Sequence, residues 1–290
     1  MIVSASYRTD IPAHYGRWFL NRLEAGHCMV PNPYGGPPAR VGLSPGEVDG
    51  FVFWTRNPGP FDAAFEVVRA RGTPFFVQMT ITGYPRAVEP HVPGPEAAVA
   101  MLRHLAARHG PRAVVWRYDP ILVTAEMDAA WHREGFARLA RALRGATDEV
   151  VASFVAPYRK TARNLAQAGL AWRDPEEPEK RELMAELAAI AGEHGMRLSL
   201  CAQPALADTP GTAPARCVDA ARLSDVAGRP LRARERGNRP GCLCAESRDI
   251  GAYDTCLQGC AYCYAVSGRS AALRRRAAHD PAAEALAPRG

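Results

Sequence analysis

Six short apolar runs, each followed by a stretch of helical periodicity, constrain this chain more than any other feature. The runs are residues 2–7, 50–55, 74–80, 113–118, 149–155 and 196–201. Between them, residues 13–25, 61–70, 96–108, 129–143, 159–168 and 178–193 carry apolar side chains three and four apart, as one face of a helix requires. Examples are Trp18, Phe19 and Leu23; Val99, Leu102 and Leu105; and Phe136, Leu139 and Leu143. Strand, helix, strand at this pitch implies parallel strands with right-handed crossovers. The fold class predicted is α/β, a partial (βα)6 TIM-like barrel over residues 1–201 with a loop-rich, cysteine-containing extension over 202–290. A doubly wound open sheet is the alternative.

Parity within the runs says where chemistry would sit. Ser4, Ser6, Arg8 and Asp10 alternate with Val3, Ala5 and Tyr7; Gln78, Thr80 and Thr82 alternate with Val77, Met79 and Ile81; Arg117 and Asp119 share a face. Alternation sends one set toward the helices and the other toward the barrel interior. Polar groups at the C-terminal ends of parallel strands suit a substrate cavity, because βα barrels place their sites there. Internal ion pairs such as Arg8–Asp10 are the simpler reading of the same residues.

After Cys201 the pattern changes. Residues 202–255 hold Pro204, Pro210, Pro214, Pro230 and Pro240 and no long amphipathic helix, and residues 282–290 read as poorly ordered. Near the end come Cys256, Cys260 and Cys263, spaced Cys-x3-Cys-x2-Cys with Tyr262 before the third. Three thiolates this close suit three irons of a 4Fe–4S cluster and leave the fourth iron open. Zinc wants four ligands, so a zinc site here needs Cys242, Cys244 or His279 as well. Cys201, Cys217, Cys242 and Cys244 form a second group able to hold an iron–sulphur cluster, a zinc ion or nothing. Cys28 stands alone and reads as a packing residue, while His14, His91, His132 and His194 fall at no ligand spacing and read as surface residues.

The triplet resembles the motif of radical S-adenosylmethionine (radical SAM) enzymes. That resemblance implies SAM bound at the open iron, reductive cleavage to methionine and a 5′-deoxyadenosyl radical, and hydrogen abstraction from a substrate. Those enzymes place the motif after the first barrel strand; here it follows the last predicted one. Over nearly the whole chain, Phe53-Trp54-Thr55-Arg56-Asn57-Pro58, Trp116-Arg117-Tyr118-Asp119-Pro120-Ile121, Ser247-Arg248-Asp249-Ile250-Gly251-Ala252-Tyr253-Asp254-Thr255-Cys256 and His279-Asp280-Pro281 resemble signature stretches of the domain-of-unknown-function 1848 family. That family carries a C-terminal cysteine cluster similar to that of radical SAM proteins, and the resemblance supplies no reaction.

The residues at strand ends then become candidates. Arg117 and Asp119 are the expected catalytic pair. Arg8, Asp10, Thr55, Arg56, Asn57, Thr80, Thr82, Ser153, Gln203 and Tyr262 are expected around SAM or substrate. The expected partners are an electron donor such as ferredoxin or flavodoxin and a small-molecule, peptide or nucleic-acid substrate. The net charge of +6 comes almost wholly from arginine, Lys160 and Lys180 being the only lysines, which looks more like codon bias than a nucleic-acid surface. No apolar run approaches a membrane span, and the N-terminus has no signal-peptide pattern. The expectation is a cytoplasmic protein. A non-enzymatic iron–sulphur protein for electron transfer or redox sensing, and a zinc-stapled binding module, are the competing readings. Phosphate-binding loops and the nucleophile elbow of serine hydrolases are absent from the sequence.

Overall fold

The six apolar runs form strands, and the extension adds two more to the same sheet. The computed structural model describes residues 1–32 and 35–287. Its strands are β1 (Ile2–Ala5), β2 (His27–Val30), β3 (Ala39–Gly42), β4 (Gly50–Thr55), β5 (Phe75–Thr80), β6 (Val114–Ile121), β7 (Val123–Thr124), β8 (Glu149–Phe154), β9 (Trp172–Arg173), β10 (Arg197–Leu200), β11 (Thr212–Pro214) and β12 (Ser247–Asp249). Its helices are α1 (Ile11–His14), α2 (Gly16–Ala25), α3 (Asp62–Ala70), α4 (Pro95–His109), α5 (Ala129–Leu143), α6 (Arg159–Gln167), α7 (Glu177–Glu193), α8 (Ala220–Ala227) and α9 (Arg269–Ala277).

The main sheet has eight strands in the order β11-β10-β8-β6-β5-β4-β1-β12, with parallel pairing throughout. From β1 to β11 the order never reverses, whereas a doubly wound sheet needs a reversal. The chain is therefore α/β with one large parallel sheet, of eight strands rather than the six expected. Among the described residues no ladder joins β11 to β12. Strands of three residues, such as β11 and β12, are too short for alternation to reveal.

Alternation separates two cores. Val3, Phe53, Val77, Trp116 and Val150 pack with Trp18, Phe65, Leu102, Phe136 and Leu187 of the helices. Ile2, Val52, Phe76, Val115 and Val151, from the other face of the same strands, pack with Cys217, Val218, Leu223 and Cys244 of the extension. That second core depends on one cation. Arg222 of α8 is fully buried and donates to Asp148 Oδ1 at 2.9 Å, Glu149 Oε2 at 2.6 Å and the Arg112 carbonyl at 2.9 Å. Removing one member of a buried ion pair strands the other charge. Arg222→Leu is expected to destabilise the fold by about 3–5 kcal/mol, read as a lower urea midpoint.

Besides the strand number, the fold corrects the expectations for His132 and for the tail. His132 is not a surface residue. It is fully buried, its Nε2 lies 3.1 Å from the Leu122 carbonyl, and its Nδ1 lies 2.9 Å from Tyr118 Oη. A buried ring between a carbonyl and a hydroxyl favours the neutral form, and burial pulls its pKa down to about 4. The unfolded ring takes up a proton near pH 6.5, so the unfolded state binds more protons between the two values and stability rises with pH there. Acidification from pH 6.5 to 4 is expected to remove about 3 kcal/mol through this residue. In His132→Gln, urea melts across that range should lose this slope; an unchanged slope would count against the assignment.

The tail is the second correction. Residues 282–287 are not loose: Leu286 and Ala287 are buried, and α2 holds the tail through Trp18 Nε1 to the Ala283 carbonyl at 3.0 Å and Arg22 to the Ala282 carbonyl at 3.0 Å. Residues 288–290 lie outside the described residues. Cys28 is buried within the first core, as expected.

Candidate metal centre

Strand β12 carries the cysteine triplet to the C-terminal edge of the sheet. Its Asp249 fastens it to β1, accepting from Ser4 Oγ at 2.9 Å, Ser6 Oγ at 2.7 Å, Tyr7 N at 3.0 Å and Gly251 N at 2.9 Å. Burial raises the Asp249 pKa, opposed by the Arg8 guanidinium. The motif thus follows the last strand in sequence but emerges beside the first in space.

The loop that follows is held from several sides. Tyr15 Oη donates to the Thr255 carbonyl at 2.7 Å, Thr161 Oγ1 to the Tyr262 carbonyl at 3.2 Å, and Asn164 Nδ2 to the Cys263 and Val266 carbonyls at 3.0 and 2.9 Å. Ala261 N bonds the Val88 carbonyl at 2.9 Å. Gly259 has φ +75°, and a Cβ there would stand 3.2 Å from Pro90 and from His91, so only glycine fits this turn without strain.

The three thiols are half-buried and near enough that Cys260 and Cys263 both push up the pKa of Cys256. Burial is the larger cause for each, and it takes Cys260 up to about 12. Other groups favour the thiolate. The Gln258 amide bonds Cys256, the Arg56 guanidinium faces Cys260, and the Ala265 and Val266 amides bond Cys263. Among the described residues, no three Cys, His, Asp or Glu side chains already stand in a metal-ligating arrangement. His279, weighed as a further zinc ligand, directs Nδ1 at the Leu286 carbonyl, 2.9 Å away.

A buried polar ring adjoins the triplet. Arg56 pairs with Glu89 Oε1 at 2.8 Å and donates to Tyr262 Oη, which itself donates to Glu89 Oε1. Thr82 Oγ1 donates to the same oxygen at 2.8 Å. Asp10 caps α1 through Ala13 N at 3.0 Å and accepts from Arg56 N and Gln258 Nε2, both at 2.9 Å. Arg56, Thr80, Thr82 and Glu89 also line a small cavity of about 70 Å³ at the end of β5. A larger hollow of about 590 Å³ lies at the opposite edge of the sheet, lined by the paired Arg112, Asp148, Arg216 and Glu235.

Arg8 lies 3.6 Å from Asp249 Oδ1 and stacks over Tyr253. Three buried polar atoms of this same segment, Arg8 Nε, Thr9 Oγ1 and His14 Nε2, make no hydrogen bond. His14 is thus partly buried rather than a surface residue, and burial lowers its pKa.

The remaining candidates gather elsewhere. Arg117 donates to Cys217 Sγ at 3.1 Å and Gln78 Oε1 at 3.4 Å, pairs with Asp119 and lies over Trp54. Ser153 donates to Asp119. These groups belong to the neighbourhood of the second cysteine group. There, Cys217 Sγ lies 3.4 Å from Cys201 Sγ. Thr55 Oγ1 accepts from Asn57 N at 2.9 Å, a turn bond, and Gln203 Oε1 accepts from Phe154 N at 3.0 Å. Sequence reasoning missed Glu89, Gln258 and Asp249 as members of the site, and Gln78 and Arg239 beside the second cysteines. Glu89 had no signal beyond its place in a loop after β5, because a lone glutamate reads as surface until its partners are known.

The family described as Domain of unknown function (DUF1848) matches residues 2–265. The chain belongs to this family. The DUF1848 match covers the whole main sheet and the cysteine triplet. No curated protein and no solved structure matches the chain. Among the described residues no helix is long and apolar enough to cross a membrane.

Proposed function

We propose that this DUF1848 chain is a radical SAM-type enzyme built on a partial TIM-like barrel. The observation that carries the reading is the convergence of Cys256, Cys260 and Cys263 at the C-terminal edge of a parallel sheet, beside β1. In this reading the three thiols hold a 4Fe–4S cluster and Cys242, Cys244 and His279 are not its ligands. The donor set fits: three thiols, backbone amides bonded to Cys256 and Cys263, and the Arg56 guanidinium beside Cys260. With SAM, such a cluster supplies reductive cleavage and hydrogen abstraction from a substrate, the chemistry residing in the cofactor.

The chain's own residues orient and insulate. Tyr262, locked between Arg56 and Glu89, fixes the loop between Cys260 and Cys263. Asp10 holds Gln258 inside the triplet. Thr9 Oγ1 and His14 Nε2 are buried polar atoms without hydrogen-bond partners on the segment that carries Asp10, and Arg8 Nε has only its ion pair with Asp249; a polar cofactor would supply the missing partners. The electron comes from an external donor of the ferredoxin or flavodoxin kind.

The test is anaerobic incubation of reconstituted protein with SAM and dithionite. Release of 5′-deoxyadenosine and methionine supports the proposal. A loaded cluster that leaves SAM intact under these conditions favours the electron-transfer or sensing reading instead.

A further inference from the structure

Four cysteines outside the triplet come from three separate segments and meet on the second face of the sheet. Cys201 follows β10, Cys217 follows β11, and Cys242 and Cys244 precede β12. Their sulfurs form an unbroken series: Cys201 with Cys217 at 3.4 Å, Cys217 hydrogen-bonded with Cys244, and Cys244 with Cys242. None forms a disulfide.

We propose that Cys201, Cys217, Cys242 and Cys244 bind one tetrahedral divalent ion, zinc, as a structural centre separate from the triplet. A zinc–sulfur bond of about 2.3 Å sets the edge of a tetrathiolate tetrahedron at about 3.8 Å. The 3.4 Å between the Cys201 and Cys217 sulfurs already approximates one such edge. A cubane instead spreads its ligands over separate irons, farther apart than these contacts. Because the series is open-ended, loading needs the terminal side chains of Cys201 and Cys242 to rotate inward. Thiol protons leave to solvent as the ion binds.

The surroundings suit buried thiolates. Val218 N donates to Cys244 Sγ at 3.3 Å, and the Asn238 and Cys244 amides bond Cys242. Arg117 donates to Cys217 Sγ, and Arg239 lies 3.6 Å from Cys201 Sγ. A zinc tetrathiolate carries net negative charge, and these guanidiniums face it. The Cys-x-Cys turn is also built to close quarters: at Gly237 a Cβ would stand 2.0 Å from the Cys242 carbonyl oxygen, so glycine alone allows the approach. The extension has little apolar core of its own, and one ion joining two of its segments to Cys201 at the end of β10 would anchor it to the sheet.

The experiment counts metals on three full-length proteins purified anaerobically and washed with chelator. The native chain is expected to keep one zinc, and so is the variant with Cys256, Cys260 and Cys263 all changed to Ser, although it loses its iron. Cys242→Ser/Cys244→Ser is expected to lose the zinc and keep the iron. Zinc unchanged in that variant, zinc lost with the triplet, or iron in place of zinc at the quartet each overturns the proposal. Should Cys242→Ser/Cys244→Ser fail to fold, cobalt titration of the chelator-stripped triplet variant decides. Strong thiolate-to-cobalt charge transfer with tetrahedral d–d bands supports a four-sulfur site; weak octahedral bands contradict it. Failure here leaves the triplet reading untouched, because iron and zinc are counted separately.

Discussion

Replacing Cys256, Cys260 and Cys263 together by serine is expected to take the chain from about four irons after anaerobic reconstitution to none, and 5′-deoxyadenosine release to background. Serine keeps the size of each side chain but is a far weaker ligand for iron than a thiolate. The loop should survive, because its anchors are elsewhere: Tyr15 on the Thr255 carbonyl, Asn164 on the Cys263 carbonyl and Ala261 on Val88. Circular dichroism and the urea midpoint separate lost iron from lost fold. A variant that folds like the native chain and still binds four irons would remove the triplet from the account.

The second large effect concerns Glu89. Its carboxylate is buried, one oxygen takes Arg56, Tyr262 and Thr82 together, and the Arg56 side chain is itself 11% exposed. Glu89→Ala leaves a guanidinium in a low-dielectric site without its counter-charge, and breaking such a pair costs about 3–5 kcal/mol. Glu89→Gln keeps an acceptor and the shape, so it should cost less. Glu89→Ala combined with Arg56→Leu should recover part of the loss, because the stranded charge is gone. Urea midpoints of the three variants check this order. If Glu89→Ala matched the native chain, the ring would not be holding the cysteine loop in place.

Much of the sheet was legible because its strands bury both faces: runs such as Phe51-Val52-Phe53 and Phe75-Phe76-Val77 read as strands on apolarity alone. Parity correctly put Ser4, Gln78 and Arg117 on the face opposite Val3, Val77 and Trp116. The three-residue strands β11 and β12 gave no periodic signal, so the return of the C-terminus to β1 was invisible. That return makes a motif at residue 256 a neighbour of Asp10. The cysteines divide in sequence into the triplet, by its spacing, and four others that lie in or at the border of the extension. Which polar residues join which group was not legible, because Arg56 and Arg117 look alike in sequence and differ only in their partners: Glu89 and Tyr262 for one, Cys217 and Asp119 for the other. His132 misled for the same reason: the Tyr118 hydroxyl and Leu122 carbonyl that make its burial tolerable are paired with it only in the fold.

The most direct measurement is electron paramagnetic resonance of the anaerobically reconstituted, reduced protein with and without SAM. The account predicts a reduced 4Fe–4S signal that changes when SAM is added, because three thiolates leave one iron open to the cofactor. An iron signal indifferent to SAM, or a colourless protein holding only zinc, would contradict it.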